Sequence, residues 1–192
     1  MSTRRHALSN ALGCTLVGLM LSACSDGTEP ISPEMAAADH AAHEAPSLVN
    51  LPAEYNKQLA DLRRATAPFH NFDKAVEAGW SLQFTPCIMN PTQTAGMGYH
   101  YVNQDLADDA TLNVNEPEAL LYEPDASGKL RLVAVEYIVP FSVHPSTAAP
   151  PELFGLQFSR SPAFQVWGLH AWVWKHNSAG MHAGFNPDVS CG

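Results

Sequence analysis

Apolar and polar positions change period along this chain, and each change marks an element. Leu51, Tyr55, Leu59 and Leu62 recur at spacings of four, four and three, with Lys57, Asp61 and Arg64 outside the stripe. That is one apolar face of a helix with Pro52 in its first turn. Pro68 breaks or kinks the pattern. Thr66 is placed to cap a second stretch in which Phe69, Phe72 and Val76 repeat the stripe, and Gly79 is placed to end it. The two stretches predict a helical hairpin or one bent helix.

After Gly79 the period drops to two, with Trp80, Leu82 and Phe84 alternating with Ser81, Gln83 and Thr85 until Pro86. Residues 97–102, 119–123, 130–139 and 165–174 are the other strand candidates. Pro124-Asp125-Ala126-Ser127-Gly128 separates two of them, and its turn-forming residues predict a hairpin. Five strands after one helical region predict a single α+β domain over residues 51–192. Its antiparallel sheet of about five strands would carry the N-terminal helical hairpin or bent helix on one face. Residues 141–164 hold Pro145, Pro150, Pro151 and Pro162 around Leu153, Phe154, Leu156 and Phe158. A loop of that length with its own apolar side chains is expected to cover something.

Composition narrows the function classes. The chain has 192 residues, 46% of them hydrophobic and 15% charged, which suits one compact domain and excludes disorder over most of its length. Lys plus Arg number 10 against 19 Asp plus Glu, a net charge of −9, so a basic surface for nucleic acid is excluded.

Residues 1–23 read as an export signal. Arg4 and Arg5 precede an apolar run from Ala7 to Leu21 that ends in the small residues Ser22 and Ala23. The run is interrupted by Asn10 and Gly13 and is short for a membrane span. Leu21-Ser22-Ala23-Cys24 resembles the lipobox of bacterial lipoproteins. That resemblance implies a lipidated Cys24 as the new N-terminus, attachment to the cell envelope and, from Ser25, sorting to an outer membrane. Removing residues 1–23 takes two arginines and no acid, leaving 19 acids against 8 bases and a net charge of −11. Residues 24–50 are Ala, Pro, Ser and acid with few large apolar side chains, a flexible tether. Within it His40 and His43 would share a face and could collect a divalent cation if the segment became helical.

With Cys14 in the signal and Cys24 lipidated, Cys87 and Cys191 remain for the folded body. In an oxidising compartment they predict a disulfide between the first strand's end and the C-terminus. Two thiolate metal ligands are the alternative, although neither cysteine belongs to a Cys-x-x-Cys pair.

Candidate chemistry comes from strand parity. His100 shares a face with Gly98 and Val102, while Tyr99 and Tyr101 point the other way. Glu136 interrupts a run that is apolar on both faces, with Leu132, Ala134 and Ile138 on its own side. A carboxylate there is costly unless it is paired, protonated or bound to metal. His170 and His176 fall on one face with Trp172 and Trp174 if the last strand runs on. Two histidines and a carboxylate on strands form a ligand set for zinc, copper or non-haem iron. The loops Gln93-Thr94-Ala95-Gly96-Met97 and Asn177-Ser178-Ala179-Gly180-Met181 each set a methionine beside glycine near a histidine, and thioether with imidazole suits copper. Arg131 or Lys175 could instead pair with Glu136. Trp167, Trp172, Trp174, Tyr99, Tyr101 and Phe185 are expected near the histidines, where they could line a concave site for a small apolar ligand under residues 141–164.

These features support three readings. The first is a lipid-anchored envelope protein binding zinc or copper through His100, Glu136 and His170, with His176 or Met181 as a further ligand. The second is an enzyme using Glu136 as general acid or base beside His100 or His170 on a small apolar substrate. The third is an interaction module that meets another envelope protein. No Gly-x-Ser-x-Gly, phosphate loop, dinucleotide fingerprint, Cys-x-x-Cys-His or His-Glu-x-x-His is present. Gly96-Met97-Gly98-Tyr99-His100-Tyr101-Val102-Asn103 and the segment from His170 through Met181 resemble a family of small exported bacterial proteins of uncharacterised function, over roughly residues 55–191. That resemblance implies no activity and carries no site residue.

Overall fold

A computed structural model describes residues 53–109 and 111–191. The expected export signal and tether, with Cys24, His40 and His43, lie outside the described residues.

Helix α1, Ala53–Thr66, buries Tyr55, Leu59 and Leu62 of the stripe expected from spacing, and Thr66 besides, while Leu51 and Pro52 lie outside the described residues. Glu54 in its first turn and Arg63 and Arg64 in its last complement the helix dipole. Thr66 does not cap the next stretch as expected. Its hydroxyl turns back to donate to the Leu62 carbonyl at 2.8 Å, which closes α1. Pro68 then sits in a 3-10 turn, Ala67–His70, and Asn71 caps the short α2, Phe72–Glu77, by accepting from the Asp73 amide. Six residues present a narrow face, so α2 buries Ala75 and leaves Val76 exposed. Gly79 ends this region at φ +107°, where a Cβ would lie 2.6 Å from the Asn103 side chain.

The sheet is antiparallel. Strands β1 (Leu82–Gln83), β3 (Gly96–Val102), β4 (Ala119–Pro124), β5 (Leu130–Pro140), β9 (Val166–Ala171) and β8 (Ser159–Ser161) lie side by side in that order, and β2 (Ile88–Met89) also pairs with β3. Helix α3, Gln104–Asp108, follows β3. The proline-rich segment is more ordered than a loop. It contains the hairpin β6 (Glu152–Leu153) and β7 (Leu156–Gln157), turning through Phe154 and Gly155 at positive φ, and then strand β8.

Two expectations about strands need correction. The alternation from Trp80 yields only the two-residue edge strand β1. Trp80 lies before it, with its indole donating to the Pro117 carbonyl, while Leu82 and Phe84 are exposed. The last strand stops at Ala171, because the Trp172 amide leaves the ladder and bonds the Met181 carbonyl.

Two apolar layers flank the sheet. On one side Leu120, Tyr122, Val135, Tyr137 and Leu169 pack with Tyr55, Leu59 and Leu62 of α1. On the other Ala119, Leu121, Ala134, Ile138 and Trp172 pack with Val189. The pairing of β4 with β5 slips between Leu121 and Tyr122. Such a bulge breaks the period of two, so Leu132 joins the helix-side layer and Val133 the opposite one, the reverse of simple alternation.

Candidate metal centre

The sheet order brings β3, β5 and β9 together on the face away from α1. Glu136 lies directly across from His170 on one side and from Ala119 on the other. His100 pairs with Leu121, two residues along β4 from Ala119. Alternate strands of a sheet stand almost 10 Å apart. Ala119 offers only a methyl group between them, so the His100 imidazole and the Glu136 carboxylate meet across β4.

His100 Nε2 is 3.4 Å from Glu136 Oε2, and His170 Nε2 is 3.9 Å from Glu136 Oε1. One ligand atom from each of the three residues lies within 4.8 Å of the others, and all three side chains are buried. The imidazoles are edge to face, with ring centroids 5.9 Å apart at 78°. Donors held 2.0–2.2 Å from a tetrahedral zinc stand about 3.4 Å apart. The triad is therefore close to ligating dimensions. Glu136 Oε1 is buried and makes no hydrogen bond in the protein. A cation between the histidines would satisfy that oxygen, as buried polar atoms require.

Surrounding groups orient the triad. Thr85 Oγ1 lies 2.8 Å from His100 Nδ1, leaving Nε2 turned toward Glu136. Metal-binding histidines are held by such contacts at the other ring nitrogen. His182 Nδ1 donates to the His170 carbonyl at 2.6 Å, so Tyr55 donates its hydroxyl to His182 Nε2 at 2.7 Å. This chain of contacts ties strand β9 to α1. The Trp172 ring lies parallel to His170 at 6.2 Å, and its Nε1–H donates to the Ala183 carbonyl.

Burial pushes the Glu136 carboxyl up to about 8, and the charge of Glu118 adds to the effect. Burial also raises Glu118 to about 8, opposed by the Ile138 amide that donates to its Oε2 at 3.0 Å. Arg131 is bound to Asp125 and Lys175 to Glu123, so both basic residues considered as partners for Glu136 are engaged elsewhere.

Three of the five expected metal residues converge. His176 is exposed and lies outside the triad, because the chain has left the sheet before reaching it. Met181 is half-buried against apolar side chains, and its backbone carbonyl receives the Trp172 amide. The expected aromatic lining is also divided. Trp167, Trp174 and Tyr101 pack in the helix-side layer, and Phe185 packs with Ile88 and Met97. Phe154 and Phe158 of the proline-rich segment likewise join the helix side, with Phe154 against Tyr55 and Tyr137. The triad's face is covered instead by Trp172 and Val189, with Phe164 and Met181 beside them. Cys191 bonds Cys87, so a disulfide closes this covering segment onto the connection between β1 and β2 that carries Thr85.

Sequence reasoning missed Glu118, Thr85 and His182. Glu118 stands immediately before the apolar run Ala119-Leu120-Leu121, a local sign of a carboxylate drawn into the core. Thr85 and His182 carry no such sign, since their partners lie 15 and 127 residues away. No family model, curated protein or solved structure matches this chain. The site is therefore read from its own geometry.

Proposed function

We propose that this is a lipid-anchored envelope protein that binds a transition metal, zinc or copper, through His100, Glu136 and His170. The observation that carries the reading is the convergence of two imidazoles and one carboxylate on a face otherwise lined by apolar side chains. An ionised carboxylate is costly to bury, and coordination to a metal ion offsets that cost. Two nitrogens and one oxygen are donors suited to zinc(II) or copper(II), with a position left for a further ligand. The lipobox sequence at Cys24 supports anchoring, and the Cys87–Cys191 disulfide is compatible with export.

Elemental analysis of tag-free mature protein tests the reading. One ion per chain is expected, lost in His170→Ala while the circular dichroism spectrum is kept. Native protein that neither retains nor takes up zinc or copper refutes it.

A further inference from the structure

The buried side chains of the described residues include two carboxylates, Glu118 and Glu136, and no lysine or arginine. Glu136 belongs to the proposed centre, and Glu118 has no role in it. Glu118 is 1% exposed and directly precedes Ala119, the cross-strand partner of Glu136. Its Oε2 is held by the amide of Ile138, two residues beyond Glu136 on the same strand. The two carboxylates thus flank one short stretch of β5, and the charge of Glu118 acts on Glu136. Of the basic residues in the sheet region, Arg131 pairs with Asp125, Lys175 pairs with Glu123, and Arg160 of β8 is exposed.

Charge balance then depends on the ion. A monovalent ion with Glu136 is already neutral. A divalent ion with Glu136 keeps one positive charge in a low-dielectric layer, where an unbalanced charge is costly. We propose that Glu118 is the outer carboxylate that balances a divalent ion at the His100–Glu136–His170 centre and sets its preference for zinc(II) over copper(I). Glu118 does so without ligating, from its fixed seat on the Ile138 amide. The proposal rests on the metal-binding reading above.

The test compares zinc(II) and copper(I), each in competition with a chromophoric chelator, on mature wild-type protein and on Glu118→Gln. The variant keeps an oxygen for the Ile138 amide and loses only the charge. Zinc affinity is expected to fall about ten-fold or more, and copper(I) affinity to stay level or rise. Equal losses for both ions, or no change in zinc affinity, overturn the proposal while leaving the metal centre intact. Wild-type protein that binds neither ion overturns the metal-binding reading itself.

Discussion

Replacing Glu136 by Gln should stabilise the metal-free protein at neutral pH and abolish its stabilisation by metal. The reason lies in the carboxyl's burial, which raises it from 4.5 to about 8 in the fold. Between those values the folded chain holds a proton that the unfolded chain has released, so stability falls as pH rises. Below the lower value the carboxyl is protonated in both states, and its full contribution is present. At about 1.4 kcal/mol per pH unit, wild type loses roughly 3 kcal/mol by pH 7 and roughly 4 by pH 8 through this one group. The introduced amide carries no charge, so the variant escapes that loss and retains only the slope due to Glu118. Urea unfolding of chelator-treated protein at a series of pH values measures the difference. The two proteins should converge at pH 4.5 and below, with the variant ahead by about 3 kcal/mol at pH 7. Zinc at a thousand times its dissociation constant should then add about 4 kcal/mol to wild type and little to the variant, reversing the order. Parallel stability curves across the pH range would show that Glu136 is not held as a desolvated carboxyl, and the argument would fail.

Three further outcomes follow from the packing around the centre. Thr85→Val removes the contact at His100 Nδ1, so chelator competition should show metal affinity reduced about 10- to 100-fold. Replacing Cys87 and Cys191 together by Ser opens a loop of 104 residues, and denaturant unfolding should show a loss of up to about 4.7 kcal/mol. Leu62→Ala empties a fully buried position under α1 and should cost about 2–5 kcal/mol by the same assay. Its zinc stoichiometry should be unchanged, because α1 packs on the opposite face from the triad.

Much of the scaffold was legible from local periodicity. The Tyr55, Leu59 and Leu62 stripe folds as α1, and the turn at residues 124–128 joins β4 to β5 as a hairpin. Local rules failed where tertiary contacts overrode them. Thr66 bonds back to Leu62 instead of capping forward. The β4–β5 slip moved Leu132 to the helix side. The chain's exit after Ala171 carried His176 out to solvent.

The centre itself divides the same way. A strand's period of two placed His100, Glu136 and His170 each on a definite face of its own segment, since side-chain direction is a local property of the backbone. A carboxylate within Val133-Ala134-Val135-Glu136-Tyr137-Ile138-Val139 was conspicuous by the cost of burying it. Strand order is not a local property. It depends on which edges pair after the chain closes loops of very different length, and it alone set β4, with its small Ala119, between His100 and Glu136. The same ordering seated Glu118 on the Ile138 amide, two residues along β5 from Glu136, and left Met181 among apolar side chains. The chain's own residues thus determined that two histidines and an acid would point out of strands, and the sheet's tertiary pairing decided that these three would meet.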